Sequence, residues 1–272
     1  MPVLNPTKSF AAIICAAGNS RRMGGVKKEY CLLAETESAA AQAALPITVL
    51  GRTVSAFAAF PCIKCIIITI PADGETAARK ALPPELLNDP RINFIYGGRT
   101  RGESVYNALM GLSVYEPESL SDLAVHKHQD SGAKSHASFF DYVLIHDGCR
   151  PFVSAKLIQR IMDEVQQHQA VIPLVPLIDT PKEISFPLSD ESPAAVVTRH
   201  LRRDMSGLAQ TPQAFAFPEI FTAYKKAAQQ QEDAPLFSYT DDAEVWGEFC
   251  GPVAVVPGEA ENRKITFPDD LE

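Results

Sequence analysis

Short apolar runs recur along the chain, separated by segments of helix length. The clearest runs are residues 11–15, 65–70, 92–96, 142–145, 170–176 and 253–256. Each run is nearly continuous in Ile, Val and Ala rather than alternating with polar residues, which is typical of strands covered on both faces. This pattern predicts an α/β protein with three layers, in which helices cover a mostly parallel central sheet.

Helices are predicted between these runs, in five segments: 50–60, 100–114, 154–168, 218–231 and 241–248. Ser154 is placed to cap the third of them, and Asp241 lies near the start of the last. A length of 272 residues fits one large domain or two small ones. Because strands and helices alternate along the chain, we interpret residues 1–272 as a single domain.

Three segments interrupt this alternation. Residues 35–46 are rich in Ala, and residues 116–138 are polar and contain three histidines; both are predicted surface insertions. The histidines could bind a metal, but no arrangement of Cys, Asp or Glu completes a ligand set, which favours a solvated loop. Residues 180–203 are rich in Pro and charge and are predicted to form an extended arm outside the core.

Composition excludes several classes of protein. With 25 Lys and Arg against 33 Asp and Glu, the net charge is −8, which argues against a broad nucleic-acid groove. The apolar runs are far shorter than the roughly 20 residues that span a bilayer, so we expect no membrane segment. Six scattered cysteines are typical of reduced thiols in a cytoplasmic protein. Cys62 and Cys65 lead into an apolar run and are interpreted as core residues.

A cluster of cations follows the first predicted strand. The chain passes through Ala16, Ala17 and Gly18 into Arg21, Arg22, Lys27 and Lys28. Ligands of open α/β sheets bind at the carboxyl ends of strands, and a turn of small residues lets backbone N–H groups approach an anion. Cations there would stabilise charge developing at phosphorus. We therefore predict a site for a nucleoside triphosphate, although neither the P-loop nor the Gly-x-Gly-x-x-Gly motif is present.

Three further polar clusters stand near predicted strand ends. Gly97, Gly98 and Ser104 could present backbone groups and a hydroxyl to a base, and a turn followed by a helix cap explains them equally well. Asp147 follows a buried run and suits a metal or a substrate hydroxyl, with a simple Asp turn as the alternative. Lys264 follows the last run after a short loop, where a lone lysine is normally solvated.

These clusters form part of an ordered set of motifs. The set comprises Ala16-Ala17-Gly18, Arg21-Arg22-Met23, Lys28-Glu29-Tyr30, Gly97-Gly98 with Arg101 and Ser104-Val105, His146-Asp147-Gly148-Cys149-Arg150-Pro151-Phe152, Asp179-Thr180, Arg203, Gln210-Thr211-Pro212-Gln213, Thr240-Asp241-Asp242-Ala243 and Asn262-Arg263-Lys264-Ile265-Thr266. In this order the motifs resemble the 2-C-methyl-D-erythritol 4-phosphate cytidylyltransferases of the non-mevalonate isoprenoid pathway. The resemblance covers residues 10–271 outside the two insertions.

The resemblance implies a Rossmann-like nucleotidyltransferase fold and the transfer of CMP from CTP to methylerythritol phosphate, with release of pyrophosphate. A phosphate oxygen of the acceptor would attack the α-phosphorus directly, so positioning and charge stabilisation would dominate catalysis. Mg²⁺ is the implied cofactor, held mainly by the CTP phosphates, with Asp147 as a possible ligand. The family is homodimeric, and the arm at 180–203 would mediate dimerisation and complete the partner's site.

The resemblance also implies roles for individual residues. Arg22 and Lys28 would stabilise the transition state, with Lys27 as an alternative to Lys28. CTP would be bound by Ala16, Ala17, Gly18, Gly98, Arg101 and Ser104. The acceptor would be bound by Asp147, Arg150, Thr180, Thr211 and Thr240, and its phosphate would be positioned by Arg203 and Lys264.

Other functions remain open at this stage. A ribitol-5-phosphate cytidylyltransferase would share the fold and most motifs, but such enzymes tend to have Asn-Glu-Thr where this chain has Gly102-Glu103-Ser104. A sugar-1-phosphate nucleotidyltransferase is less compatible with the Gln210–Gln213 motif and with Lys264. A non-catalytic nucleotide-binding protein on the same fold would not need the cations.

Overall fold

The computed structural model describes residues 8–18, 20, 23–33, 47–115, 139–186, 194–230 and 239–271. The two predicted insertions, 35–46 and 116–138, lie outside the described residues. Strands and helices alternate through most of the remainder, as the pattern of apolar runs predicts.

The strands occur where the apolar runs predict them, with four shorter additions. They are β1 (Phe10–Cys15), β2 (Ile63–Ile70), β3 (Ile92–Tyr96), β4 (Tyr142–Asp147), β5 (Ala170–Pro176), β6 (Lys182–Ile184), β7 (Val197–His200), β8 (Gly207–Ala209), β9 (Gln213–Ala216) and β10 (Ala254–Pro257). The helices are α1 (Val49–Ala58), α2 (Glu75–Lys80), α3 (Pro84–Leu87), α4 (Arg101–Ser113), α5 (Ala155–His168), α6 (Glu219–Gln230) and α7 (Asp242–Phe249). All five predicted helices are present within one or two residues of the expected bounds.

The described part of the chain forms one eight-stranded sheet, in the order β10-β5-β9-β4-β1-β2-β3, with β8 paired to β5. β1 runs parallel to both β2 and β4, β3 runs parallel to β2, and β10 runs parallel to β5. β8 and β9 are antiparallel to their neighbours. The prediction of a mostly parallel sheet is therefore confirmed.

The central strands are apolar on both faces, and the helices are apolar on one face. The core forms because the apolar faces of the helices pack against the sheet. In β1, Phe10–Ile14 are fully buried. In α5 the buried residues recur at helical spacing (Leu157, Ile158, Ile161, Met162 and Val165), so that one face packs on the sheet. The Ser154 side chain accepts a hydrogen bond from the Leu157 N–H at the start of this helix, which confirms the predicted cap.

The sheet order determines where a ligand can bind. From β1 the chain moves outward through β2 to β3, and β4 then returns to the other side of β1. At such a switch point the connections leave in opposite directions and open a crevice at the carboxyl ends of the strands. The segments that follow β1, β3 and β4 therefore converge at one edge of the sheet.

The arm predicted at 180–203 contains a separate two-stranded sheet. β6 and β7 pair with each other in antiparallel register, outside the main sheet. All four residues of β7 are exposed. Elsewhere, Cys65 is fully buried in β2, as expected of a core cysteine, whereas Cys62 is half-buried and packs against the core. Among the helices of the described residues, none is long and apolar enough to cross a bilayer.

Candidate active site

A pocket of about 570 Å³ opens at the switch point, beyond the carboxyl ends of β1 and β4. Its described lining is Cys15, Ala17, Gly18, Ser20, Lys28, Glu29, Thr69, Gly98, Arg99, Thr100, Arg101, Ser104, Asp147, Cys149, Lys264 and Thr266. Eight of the residues predicted from the sequence are among them. The pocket thus joins segments that are up to 251 positions apart in the sequence, from Cys15 to Thr266.

The loop after β1 is held together by polar contacts among its own residues. The Ser20 hydroxyl donates to Glu29 Oε2 at 3.2 Å and accepts from the Lys28 N–H at 3.3 Å. The Lys27 ammonium donates to the Gly18 carbonyl and lies 3.6 Å from Glu29. Lys28 instead lines the pocket and donates to the Ile265 carbonyl at 2.9 Å. Of the two lysines, the pocket geometry favours Lys28 as the cation that meets a ligand.

The segment between β3 and α4 packs closely against the loop after β1. The Ser104 hydroxyl accepts from the Gly98 N–H at 3.0 Å and donates to the Thr100 carbonyl at 2.9 Å. A Cβ atom at Gly97 would overlap the Ala17 Cβ atom and lie 2.7 Å from the Ser104 Oγ atom. Only glycine allows this approach, which brings backbone groups of both segments to the pocket.

Asp147, at the end of β4, is the centre of a charged cluster. Its carboxylate lies 3.0 Å from Lys264 Nζ, 3.2 Å from Arg150 Nε and 3.5 Å from Arg101 Nε. Burial opposes ionisation, but the charges of Lys264, Arg101 and Arg150 outweigh it and hold the pKa of Asp147 well below its usual range. The attraction of Asp147 also raises the pKa of Lys264. Asp147 and Lys264 therefore both remain charged near neutral pH.

Arg101 is held in the pocket by a buried carboxylate. Arg101 Nη1 and Nη2 donate to the two oxygens of Asp242 at 3.0 and 2.7 Å, and the Tyr224 hydroxyl donates to Asp242 Oδ1 at 2.6 Å. Asp242 is fully buried at the start of α7. A two-point contact of this kind orients the guanidinium, so that Arg101 is set in place without a ligand.

The remaining predicted residues lie at different distances from the pocket. Arg150 is not among the described lining residues but contacts Asp147, which is, whereas Ala16 and Thr211 are buried beneath the pocket. Thr180, Thr240 and Arg203 are exposed and are not among its described lining residues. The Arg203 Nη1 atom donates to the Ile178 carbonyl, just before the arm, at 2.7 Å. Arg22 lies outside the described residues.

Several residues of the site were given no role from the sequence, and the contacts of three of them show what they do. Asp242 orients Arg101, and Glu29 contacts Ser20 and Lys27 in the loop after β1. Both belong to motifs noted in the sequence, but neither was assigned a function there. Thr69 lines the pocket and accepts a hydrogen bond from the Ala16 N–H at 3.2 Å. Its position was visible in the sequence as the one hydroxyl in the run Ile66–Ile70, at the carboxyl end of a buried strand.

The arrangement suits binding of a polyphosphate better than covalent catalysis. Burial raises the pKa of Cys15 to about 12 and that of Cys149 to about 11, so both pocket thiols are protonated and weak nucleophiles. Among the described residues, no group of three or more His, Cys, Asp and Glu is placed to hold a metal by itself. The pocket instead offers two lysines, an oriented arginine and an ionised carboxylate.

Comparison with known proteins gives a consistent result. The family model described as 2-C-methyl-D-erythritol 4-phosphate cytidylyltransferase matches residues 10–126 and 131–272. The enzyme of that name from Syntrophus aciditrophicus is 34% identical over 261 residues, covering 96% of this chain and 92% of the relative. The one from Bacillus cereus is 31% identical over 262 residues, covering 96% and 94%.

A solved structure extends the likeness to the fold. The crystal structure of 4-diphosphocytidyl-2C-methyl-D-erythritol synthase from Anaerococcus prevotii superposes with a TM-score of 0.67 and 27% identity, covering 97% of this chain and 93% of that one. The sheet order, the pocket and the matched relatives agree over nearly the whole length. The chain belongs to the 2-C-methyl-D-erythritol 4-phosphate cytidylyltransferase family.

Proposed function

We propose that this cytidylyltransferase uses the pocket at the switch point to transfer CMP from CTP to 2-C-methyl-D-erythritol 4-phosphate. The products are 4-diphosphocytidyl-2-C-methyl-D-erythritol and pyrophosphate, in the synthesis of isoprenoid precursors. The observation that carries the proposal is the ionised Asp147 with Lys264, Arg101 and Arg150 around it, in a pocket that Lys28 also lines. The names of the matched relatives give the acceptor and the cytidylyl group that is transferred.

In the proposed reaction a phosphate oxygen of the acceptor attacks the α-phosphorus of CTP. The bond from that phosphorus to the oxygen of pyrophosphate breaks, and pyrophosphate leaves. Lys28, together with Arg22, neutralises the negative charge that develops on the phosphoryl oxygens. The acceptor is already the nucleophile, so the protein's task is to align the two phosphates and to stabilise charge.

The two substrates would occupy different parts of the pocket. The backbone around Ala17, Gly18 and Gly98, ordered by Ser104, is placed to bind the nucleotide at close range. Asp147 and Arg150 would bind hydroxyl groups of the acceptor, because an ionised carboxylate is a strong hydrogen-bond acceptor. Lys264 would contact the acceptor's phosphate. Arg101 lies between the two parts and is held by Asp242.

Mg²⁺ is the cofactor that this reaction would use. Magnesium is usually bound by one or two carboxylates together with the phosphates of a substrate, and Asp147 fits this pattern because it is ionised and lines the pocket. The CTP phosphates would supply most of its ligands. When bound, the ion would neutralise phosphate charge and favour departure of pyrophosphate.

We propose further that the protein acts as a homodimer whose arm completes the partner's site. Two exposed apolar side chains flank the arm, Ile178 at 88% and Met205 at 76% exposure. Thr180 and Arg203 lie on the same segment and outside the pocket of their own chain. Covering this surface with a second copy would bury the apolar groups and bring both polar residues to the other pocket. A cytoplasmic location agrees with the free state of all six cysteines.

The proposal is tested by measuring pyrophosphate release from CTP and Mg²⁺ with two acceptors in parallel, methylerythritol phosphate and ribitol 5-phosphate. We expect turnover with the first alone. Turnover with ribitol 5-phosphate alone would keep the mechanism and overturn the acceptor. If a folded protein released pyrophosphate with neither acceptor, the chain would be a nucleotide-binding protein and the proposed activity would be wrong.

A further inference from the structure

A buried segment behind the pocket contacts three of the segments that carry site residues. It comprises Gln210–Gln213 and joins β8 to β9. Gln210 is 6% exposed, Thr211 is 4% exposed and Gln213 is 1% exposed. None of these three is among the described residues lining the pocket. Burying two amides and a hydroxyl is costly unless each polar atom has a partner, so their contacts indicate what the segment does.

Gln210 holds the turn that leads to Lys264. Its Oε1 atom accepts from the Glu259 N–H at 3.1 Å, and its Nε2 atom donates to the Glu259 carbonyl at 2.8 Å and to the Asn262 carbonyl at 3.3 Å. A Cβ atom at Gly258 would lie 2.6 Å from Gln210 Oε1, so glycine is required for this approach. The Gln210 side chain thus bonds to both the first and the last residue of the turn at 259–262.

The same turn is tied to the acceptor side of the pocket. Asn262 Nδ2 donates to the Thr211 carbonyl at 2.8 Å, and the Asn262 carbonyl accepts from Arg150 Nη1 at 2.9 Å. Lys264 follows two residues later and places its ammonium 3.0 Å from Asp147. The position of Lys264 relative to Asp147 therefore depends on where the turn at 259–262 is held.

The other polar side chains of the segment contact the end of β4 and the start of α7. The Thr211 hydroxyl accepts from the Asp147 N–H at 3.1 Å and lies 3.0 Å from His146 Nδ1. Gln213 contacts the start of α7 on both sides of Asp242, donating to Asp241 Oδ2 at 2.9 Å and accepting from the Ala243 N–H at 3.1 Å. One short segment therefore contacts the turn at 259–262, the end of β4 and the start of α7.

We propose that Gln210 is a positioning residue for cytidyl transfer, which holds the turn at 259–262 so that Lys264 meets Asp147 and the acceptor's phosphate. Thr211 and Gln213 extend the same support to Asp147 and to Arg101. The proposal rests on the proposed role of Lys264, and it adds a residue that contacts no substrate. Displacement of a binding group by about 1 Å can cost 10²-fold in rate, so loss of this support has a measurable consequence.

The first test measures the support itself and does not depend on activity. Gln210→Met keeps the length of the side chain and removes its hydrogen bonds. We expect faster amide hydrogen exchange in the peptide containing residues 259–265, with unchanged exchange in α5. Gln166→Met is the matched control, because Gln166 is an amide on α5 whose Nε2 donates to the Met162 carbonyl within the helix. Unchanged exchange at 259–265 would overturn the proposal.

The second test is a double-mutant cycle with Lys264→Ala. We expect Gln210→Met to lower kcat/KM for methylerythritol phosphate by about 10- to 100-fold while the affinity for CTP stays the same. In the Lys264→Ala background it should add little, because Gln210 is proposed to act through the Lys264 ammonium, which is then absent. If the losses in kcat/KM from the two substitutions simply multiplied in the double variant, Gln210 would be only structural. The same would follow if Gln210→Met weakened CTP binding as much as it lowered kcat/KM, and either result would overturn the proposal.

A further variant keeps the test decisive if Gln210→Met unfolds. Gln210→Glu retains an acceptor for the Glu259 N–H but loses the donor that faces two carbonyls, and the same exchange and kinetic results are expected of it. If Lys264→Ala has no effect on catalysis, the proposed role of Lys264 is wrong and Gln210 positions no substrate group. Impaired catalysis by Lys264→Ala with normal exchange in both Gln210 variants refutes the positioning role alone.

Discussion

Lys27 and Lys28 are neighbours in the sequence but have different surroundings in the structure. Lys27 stabilises the loop after β1, since its ammonium contacts the Gly18 carbonyl and Glu29. Burial lowers the pKa of Lys27, although Glu29 partly opposes this. Lys28 lines the pocket, and the described hydrogen bonds of its ammonium go to the Ile265 carbonyl alone. These surroundings predict different consequences for the two lysines.

Lys28→Ala should lower kcat by about 10²- to 10³-fold, as removal of one charge-stabilising donor does in other enzymes. The thermal unfolding midpoint should hardly change, because among the described residues the side chain makes a single hydrogen bond, to the Ile265 carbonyl. Steady-state pyrophosphate release with saturating CTP measures the effect, and Lys64→Ala, an exposed lysine on β2, serves as the control. A full rate in Lys28→Ala would remove this residue from the mechanism.

His146 predicts how stability depends on pH. Burial is the main cause that lowers its pKa to about 4, against about 6.5 in an unfolded chain. Between these values the unfolded state binds more protons, so the free energy of unfolding falls as the pH falls, by about 2 kcal/mol from pH 7 to pH 5. The charge of Asp147 raises the pKa of His146 and the charge of Arg150 lowers it, but burial is the larger cause.

Urea unfolding at pH 7 and pH 5 measures this dependence. His146→Gln should lose most of the difference between the two pH values, because glutamine does not titrate. His168→Gln, which replaces an exposed histidine at the end of α5, should keep it. An equal pH dependence in the wild type and in His146→Gln would contradict the assignment.

Among the elements, α7 connects helix stability to the pocket. The Asp241 side chain accepts from the Glu244 N–H at 3.0 Å and so caps the helix, which confirms the placement expected from the sequence. It also accepts from Gln213. The next residue, Asp242, orients Arg101. The position of a pocket arginine therefore depends on how a helix begins on another part of the chain.

Asp241→Ala should destabilise the protein by about 1 to 2 kcal/mol through loss of the cap and should also raise KM for CTP. Ser154→Ala removes the cap of α5 and should cost a similar free energy without the kinetic effect. Chemical denaturation and initial rates on both variants make the comparison. If the two variants behave alike in kinetics, α7 has no special link to Arg101.

At the scale of the whole molecule, we predict that the arm of each chain in the dimer completes the pocket of the other chain. Mixing two inactive variants, Arg203→Ala and Lys28→Ala, tests this after subunit exchange. A mixed dimer would contain one pocket with an intact Lys28 and an intact Arg203 from its partner. We expect recovery of up to about a quarter of the wild-type rate for random pairing.

Sedimentation velocity on each variant and on the mixture controls for assembly. Absence of any recovery, in a mixture shown to be dimeric, would mean that the arm serves the pocket of its own chain. A monomeric wild type with full activity would contradict the dimer proposal altogether.

The amino-acid sequence by itself determined the elements whose signal is local. The runs that became β1 to β5 and β10 are apolar enough to be recognised alone, and α5 shows its buried face at helical spacing. The ordered motifs pointed to the family and to eight residues that line the pocket, including Lys28 and Asp147. Local composition and motif order suffice for these because each depends on residues close together in the chain.

Only the tertiary structure decided the rest. β9 is four residues long and begins with the polar Gln213, and it is stabilised as a strand by pairing with β4 and β5. Asp242 and Arg101 are 141 positions apart, and Thr211 and His146 are 65 apart. The choice between Lys27 and Lys28 likewise depended on contacts across the pocket. Burial and long-range hydrogen bonds assign these roles, and neither is a property of a short stretch of sequence.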